Sequence, residues 1–523
     1  METNVISIDC GTQSVRALLF DEYGRMIHKT KREFEPYFSS KPGYAEQHPE
    51  VYFETICACL KEMSDQQPEK SAKVKGLCLT SLRDTGVFLN HKLDVVRPSM
   101  LWLDQRTAEC KKPLNLKDRT MLRAVGMTRA IETTRKLCKV NWLKENEPEN
   151  WDKTKHYVLL PAYLQYRLTG RLIDSIGNQI GHVPFNYKTQ DWPKNENDYR
   201  YEVFGIERSK LYKFNKPGEL VGELLESVAA MTGLSKNIKV ISGASDKGCE
   251  TLGVGCVSPK SVSLSFGTTA TIQTTSKRYF EPLLFMPAYP AAIPDYYNPE
   301  VQVFRGYWMI RWFKQEFASR EQHEALEMGI APEELLNRCL QTVPAGSDGL
   351  ILQPYWTPGL KHPDAKGSII GFSDCHTRAH LYRAIIEGIN YGLMDGLRKI
   401  QKKSKQSVKR IMVSGGGSQC DEICQITANM FNLPVYKGET YEAAGLGAAI
   451  IAFVGIGVYK DFETAVKHMV RHTKEFTPEK ASAMLYKRIY ERIYVNIFSS
   501  LNHLYADLNQ ILSDEGEKYE EEQ

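Results

Sequence analysis

One pattern occurs twice and limits the folds open to this chain: an alternating apolar strand, a turn built on glycine and threonine, and a returning strand. The first copy runs from Val5, Ile6 and Ile8 through Asp9-Cys10-Gly11-Thr12-Gln13-Ser14 into a strand at 15–20. The second is Ser261–Phe266, then Gly267-Thr268-Thr269, then a strand through Ile272. A repeat at so long an interval reads as two related domains and not as a solenoid. The 523 residues suffice for about two to four domains.

Composition narrows the class of function. With 42% hydrophobic and 25% charged residues, disordered, collagen-like and coiled-coil readings fail. The balance of 67 basic against 63 acidic residues, net +4, argues for neither nucleic acid nor a membrane surface as partner. No uncharged apolar stretch is long enough to span a bilayer, and METNVISIDCGTQS lacks the parts of a signal peptide. The twelve cysteines are scattered, with no C-x-x-C and no zinc-ligand spacing, and read as reduced thiols of a cytoplasmic protein.

Between the copies, the glycine-rich run at 241–248 reads as an interdomain hinge, giving domains of 1–250 and 251–523. Further strands are expected at 25–33, 74–80, 349–353 and 409–413. Helical spacing occurs near 49–63, 104–112, 135–146, 161–169, 376–399, 420–431 and 442–454. Near the end, Leu485, Ile489, Ile493, Ile497, Leu501, Leu504 and Leu508 predict one long amphipathic helix packed on the body, a homodimer contact being the weaker alternative. EGEKYEEEQ reads as a solvated tail.

Several of these turns have the makings of a phosphate site. A tight turn with glycine and hydroxyl residues, such as Gly11-Thr12-Gln13-Ser14, exposes backbone N–H groups that can wrap phosphate oxygens. Asp9, at the end of the first strand, is placed to hold Mg²⁺ through water. A single D-x-G-T is equally a hairpin whose Asp caps its own backbone; its recurrence at Gly267 favours a polyphosphate clamp. In IMVSGGGSQ a strand feeds Gly415-Gly416-Gly417-Ser418-Gln419 and then a helix, a loop that lets a base or phosphate approach the backbone. It is neither a Walker A motif nor G-x-G-x-x-G, and a close-packed turn is its rival reading.

Asp246 could accept the proton of an attacking hydroxyl, although an isolated G-x-x-D is usually a turn. Arg83 and Asp84 follow an apolar strand, where charged side chains often reach a ligand, and can act as donor and acceptor toward neighbouring hydroxyls. Trp102, Asp104 and Arg106 in MLWLDQRT form a further candidate group; a local ion pair or a core tryptophan is the plainer reading.

Taken together, these residues resemble the FGGY carbohydrate kinase family, a branch of the actin-like, ribonuclease-H-fold ATPases. The resemblance runs in family order through IDCGTQSVRALLFD, PGYAEQHPE, SLRDTGVFL, LWLDQRT, LLPAYLQYRLTG, GASDKGCETLGVG, LSFGTTATI and the stretch 367–387. It continues through VSGGGSQCDEICQITANMFNLPV and YEAAGLGAAIIAFVGIG. The stretch 367–387 is close to a family signature, with Phe372 a departure; the other signature, around 139–143, matches in its second half.

The resemblance implies an α/β fold of two ribonuclease-H-like domains with a cleft between them, and ATP-dependent phosphorylation of a small sugar or polyol. It implies Asp246 as general base and Asp9 at Mg²⁺. Gly11, Thr12, Gln13, Ser14 and Arg16, with Gly267, Thr268 and Thr269, would lie along the phosphates of ATP. Gly415, Gly416, Gly417, Ser418 and Gln419 would lie at its adenosine end. Arg83, Asp84, Trp102 and Asp104 would meet the sugar. Domain closure would exclude water. Arg83-Asp84 stands where xylulokinases usually carry Met-His and is more like the pairing of glycerol and autoinducer-2 kinases. Yet Thr134 stands about where glycerol kinases place an aromatic, and Asp246-Lys247 differs from their Asp-Gln. A polyol or ketose larger than glycerol is therefore expected, with glycerol kinase and autoinducer-2-type kinase as alternatives. A non-catalytic nucleotide-binding regulator is the alternative of another class.

Overall fold

The computed structural model describes residues 3–284, 286–357 and 364–521, with 514–521 described as backbone alone. The chain forms two compact units. Unit 1 gathers Met1–Val257, Thr275–Pro299 and Glu442–Arg471; unit 2 takes Ser258–Thr274, Glu300–Tyr441 and His472–Gln523.

Unit 1 is organised by a six-stranded sheet. Strands β1 (Asn4–Cys10), β2 (Ser14–Asp21) and β3 (Met26–Glu33) form an antiparallel meander. On its other side β1 runs parallel to Val74–Ser81, which runs parallel to Lys239–Ile241, and Leu220–Glu223 closes the edge antiparallel. Alternation along the strands sends side chains into two cores. Ile6, Ile8, Ala17 and Leu19 join Tyr52, Ile56 and Leu60 of helix α1 (Pro49–Gln66). Val5, Leu18 and Phe20 join Ile450, Ile451 and Phe453 of the helix Ala443–Gly455.

That second helix is apolar on nearly every face, as a helix sealed inside a protein must be. Each of its large side chains contributes about 1.5–3 kcal/mol by burial. It crosses the helix Asp246–Gly253 backbone against backbone. A Cβ on Gly253 would lie 1.9 Å from the Ala443 carbonyl oxygen, and one on Gly447 would lie 1.9 Å from that of Cys249. The crossing holds the start of the Asp246 helix in place.

Unit 2 repeats the sheet. Its order is Glu300–Val303, Ala270–Gln273, Ser261–Phe266, Arg410–Ser414, Val435–Gly438 and His472–Phe476. The pairings run antiparallel, antiparallel, parallel, parallel, antiparallel, the same succession as in unit 1 read from β3. The two related domains expected from the repeated turn are present, with the α/β sheets that the resemblance implies.

Four expectations need correction. The segment 104–112 is not helical, because Asp104 and Arg106 turn inward to pair with each other. The helix expected at 135–146 breaks at Cys138, extended at φ −68° and ψ 119°, into Thr128–Leu137 and Lys139–Asn146. The run 241–248, expected as a hinge, lies wholly within unit 1 as a packed strand-to-helix connection, where a Cβ on Gly243 would meet the Leu79 carbonyl oxygen at 2.1 Å. The C-terminal helix is interrupted by a π turn at Tyr490–Tyr494, and its buried side carries Tyr486, Tyr490, Tyr494 and Tyr505. Leu485, Ile493, Leu504 and Leu508 are exposed. Of the expected stripe only Ile497 is buried, with Ile489 and Leu501 half-buried, and Tyr494 stacks on Tyr391 at 4.8 Å. Of the expected tail, helix backbone continues to Glu521, and residues 522–523 lie outside the described residues.

Candidate functional site

In unit 1 the parallel strands end side by side. Cys10 pairs with Ser81, and Ser81 bridges to Ser245, so the first glycine turn, Arg83-Asp84 and Asp246 follow three neighbouring strand ends. The carboxyl ends of parallel strands are where open α/β sheets bind ligands. The first turn is closed by Gly11 N–H donating to the Ser14 carbonyl at 2.9 Å, and Phe34 N–H donates to that of Gln13 at 3.1 Å. Gln13 is exposed, Thr12 is partly so, and Ser14 is buried.

Asp9 lies at the centre of a charge network. Arg16 Nη1 is 3.0 Å from Asp9 Oδ2 and 3.3 Å from Glu442 Oε2, while Lys29 Nζ lies 3.0 Å from Glu442 Oε1. Burial raises the Asp9 carboxyl to about 6, Arg16 opposes this, and the charges of Asp246, Glu442 and Glu250 add to it. A carboxylate so placed gains from a divalent cation. Among the described residues no group of three or more His, Cys, Asp or Glu could hold a metal directly. The buried Asp9 carboxylate is of the kind that can hold Mg²⁺ through the ion's own water.

Asp246 opens its helix, with Ser245 as N-cap, and its side chain is 39% exposed, accessible to a substrate. Arg83 Nε is 3.4 Å from Asp246 Oδ1, and its guanidinium lies 5.4 Å from the Tyr289 ring centroid. Lys247 Nζ pairs with Glu250 Oε2 at 2.7 Å; burial works against its charge, but Glu250 and Asp246 raise its pKa. Burial pushes the Asp84 carboxyl up, yet the charge and hydrogen bonds of His182, with Lys139 beyond, hold it below the usual range.

The remaining two sugar-site candidates part company. Trp102 is half exposed and donates from Nε1 to Thr12 Oγ1 at 3.1 Å, bringing it to the first turn. Asp104 is sealed. Its oxygens accept from Ala45 N–H at 2.7 Å and from Arg106 N–H and Nε at 3.0 and 2.9 Å. Arg106 in turn stacks 3.8 Å from the Tyr44 ring centroid and 4.6 Å from that of Trp142.

In unit 2 the two other loops adjoin each other, because Ser265 pairs with Ser414 across the parallel strands. The carbonyls of Gly267 and Thr268 accept from Tyr307 N–H and Trp308 N–H at 3.0 and 3.3 Å, tying the turn to the start of the helix Trp308–Phe317. Thr268 is exposed. The three glycines differ in what they face. A Cβ on Gly415 would press on the Phe266 backbone at 2.9 Å, and one on Gly417 on the Tyr307 ring at 2.3 Å. A Cβ on Gly416 would meet nothing within 4 Å. Ser418 is buried and Gln419 exposed.

Glu442, Lys29, Tyr289 and His182 join the unit 1 group without having been singled out in the sequence. No local signal marks them, since each lies in another segment and is brought in by the fold. No described helix is long and apolar enough to cross a membrane.

The profile of the N-terminal domain of the FGGY family of carbohydrate kinases matches residues 4–253, and that of its C-terminal domain matches residues 262–456. Xylulose kinase of Bacillus subtilis is 29% identical over 490 residues, covering 92% of this chain and 94% of the relative. Xylulose kinase of Lactococcus lactis is 29% identical over 493 residues, covering 93% and 95%. The crystal structure of gluconate kinase from Lactobacillus acidophilus matches with a TM-score of 0.82 at 23% identity, over 97% of this chain and 100% of that one. That likeness carries the fold.

Proposed function

Because this chain belongs to the FGGY family of carbohydrate kinases and so phosphorylates a small sugar or polyol with ATP as donor, we propose that its acceptor is an uncharged ketose or open-chain polyol and that Asp246 is the general base. The observation carrying this reading is the convergence of Asp9, Arg83 and Asp246 on neighbouring strand ends of unit 1. The relatives named xylulose kinase support a ketose. Paired charges support a neutral acceptor. Arg83 is matched by Asp246, Lys247 by Glu250 and Arg16 by Asp9, which leaves no unmatched cation among these groups to bind a sugar acid.

In this mechanism Arg83 and Asp84 orient the acceptor through its hydroxyls, beside Trp102. Asp246 takes the proton of the terminal hydroxyl as its oxygen attacks the γ-phosphoryl group, and ADP leaves. Gly11, Thr12, Gln13, Ser14, Arg16 and the turn Gly267-Thr268-Thr269 hold phosphate oxygens; Gly415 to Gln419 hold the adenosine end. Asp9 would hold Mg²⁺ through water, and the ion would supply charge neutralisation on the phosphates. Asp104 has a structural part, fixing Arg106. Cysteines that are scattered and mostly buried support a reducing, cytoplasmic setting.

The test is ADP release with MgATP across D-xylulose, D-ribulose, xylitol, glycerol and gluconate, with Asp246→Asn run beside the wild type. A ketose or pentitol should turn over fastest, and the variant should lose about a hundredfold or more in kcat. Turnover surviving in the variant would remove Asp246 as the base. Preference for gluconate would overturn the neutral acceptor.

A further inference from the structure

Asp84 is held by a short loop far away in sequence. Its own backbone lies in the left-handed region at φ +50°, a conformation a non-glycine residue keeps when its surroundings impose it. Its N–H donates to the Ile180 carbonyl at 3.2 Å. Its Oδ1 accepts from His182 N–H at 2.8 Å, and its Oδ2 lies 2.7 Å from His182 Nδ1. A carboxylate only accepts, so Nδ1 carries the proton of this contact. Gly181, at φ +136°, makes the approach possible, since a Cβ there would lie 2.3 Å from Asp84 Oδ1.

The loop thus occupies one lone pair on each Asp84 oxygen and leaves the others available. The pair differs from the sealed Asp104 and Arg106, which are at 0% and 1% exposure. Asp84 and His182 stand at 20% and 25%, next in sequence to the Arg83 that reaches Asp246.

We propose that His182 is a positioning residue for the acceptor: it holds the Asp84 carboxylate at a fixed angle, so that its remaining lone pairs accept hydrogen bonds from two adjacent hydroxyls of an uncharged polyol. This rests on the sugar-kinase reading above and names the device by which unit 1 grips the substrate. The hydroxyls must be neighbours, because the two oxygens of one carboxylate are the acceptors.

The experiment measures xylitol and D-xylulose binding to the full chain by calorimetry without ATP, and separately KM and kcat with MgATP. His182→Ala should weaken polyol binding about tenfold or more, the worth of a hydrogen bond to a charged group. KM for the sugar should rise while kcat, the affinity for MgATP and the melting temperature stay near wild type. His182→Phe keeps a ring against Phe204, 6.5 Å away between centroids, but removes the donor, and should show the same loss. His182→Asn restores a donor and should recover most of the affinity. Unchanged polyol binding in His182→Phe would overturn the proposal. So would a loss that lowers the melting temperature and MgATP affinity equally and that Asn does not rescue. A wild type that binds these polyols without transferring phosphate would sink the kinase reading and leave this one standing on the binding data. A wild type that binds neither would overturn it outright.

Discussion

Glu442 and Arg16 are 426 positions apart in the chain, yet their side chains meet at 3.3 Å within unit 1. Arg16 extends from β2 beside Asp9, and Glu442 stands at the entry to the buried helix Ala443–Gly455. Glu442 is 4% exposed and also holds Lys29, so it neutralises two cations from one buried point. The strand that leaves the first glycine turn is therefore braced by a residue from far along the chain.

Glu442→Gln removes that charge and leaves Arg16 leaning on Asp9 alone. Stability should fall by about 1–3 kcal/mol, less than for a fully sealed pair because Arg16 is partly solvated. The KM for MgATP should rise along with it. Thermal melting and steady-state kinetics on the same preparation check both; an unchanged KM would separate the brace from the phosphate site.

Asp9 makes stability depend on pH in a direction opposite to that of most carboxylates. Its folded pKa is raised from 3.8 to about 6, chiefly by burial, so the folded state binds the extra proton between those values. Stability should decline as pH rises through that window and level off above it. Asp9→Asn cannot ionise and should flatten the slope, melting higher than wild type above the window by on the order of 1–3 kcal/mol while losing turnover. A variant that melts lower there would mean that the contact with Arg16 outweighs the cost of burial.

Asp104→Asn should act on the fold more than on sugar affinity. The carboxylate is sealed, with Arg106, Lys139 and two backbone N–H groups as partners, and breaking such a pair costs about 3–5 kcal/mol. The expected result is a large drop in melting temperature with the sugar KM nearly unchanged in whatever folds. A selective rise in KM would return Asp104 to direct sugar contact.

The glycine loop of unit 2 offers an internal control. Gly417→Ala presses on Tyr307 and should destabilise by about 1–3 kcal/mol. Gly416→Ala enters open space and should leave melting unchanged. If the nucleotide fills that space, Gly416→Ala raises the KM for ATP several-fold without a stability cost. Equal effects of the two variants on melting would contradict the packing described.

Much of this was legible in the chain because it is written locally. The two strand–turn–strand copies, the three glycine loops and Asp246 all sit in contiguous runs whose hydrophobic alternation and turn residues act over a few positions. What escaped depends on distant partners. The segment 104–112 reads as helical, but the buried pair of Asp104 and Arg106 overrides it. The stripe near the C-terminus keeps Ile497 on the packed face, but most of that face is taken by Tyr486, Tyr490, Tyr494 and Tyr505. The glycines at 241–248 suggested freedom and instead permit close packing, since a missing Cβ serves either purpose. His182 lies in a loop-rich stretch with no motif of its own; its meaning comes from Asp84, 98 positions earlier.

The return of Glu442–Arg471 to unit 1 also sets a schedule for synthesis. When Val257 leaves the ribosome, the first unit has its sheet but lacks the helix that covers Val5, Leu18 and Phe20. Roughly 180 further residues must be made before that helix exists, about 10–40 s at ordinary elongation rates. Throughout that interval the nascent chain displays an uncovered apolar sheet face. Truncations anywhere in that span should therefore yield aggregating fragments, and a holding chaperone should engage this chain during translation rather than after it.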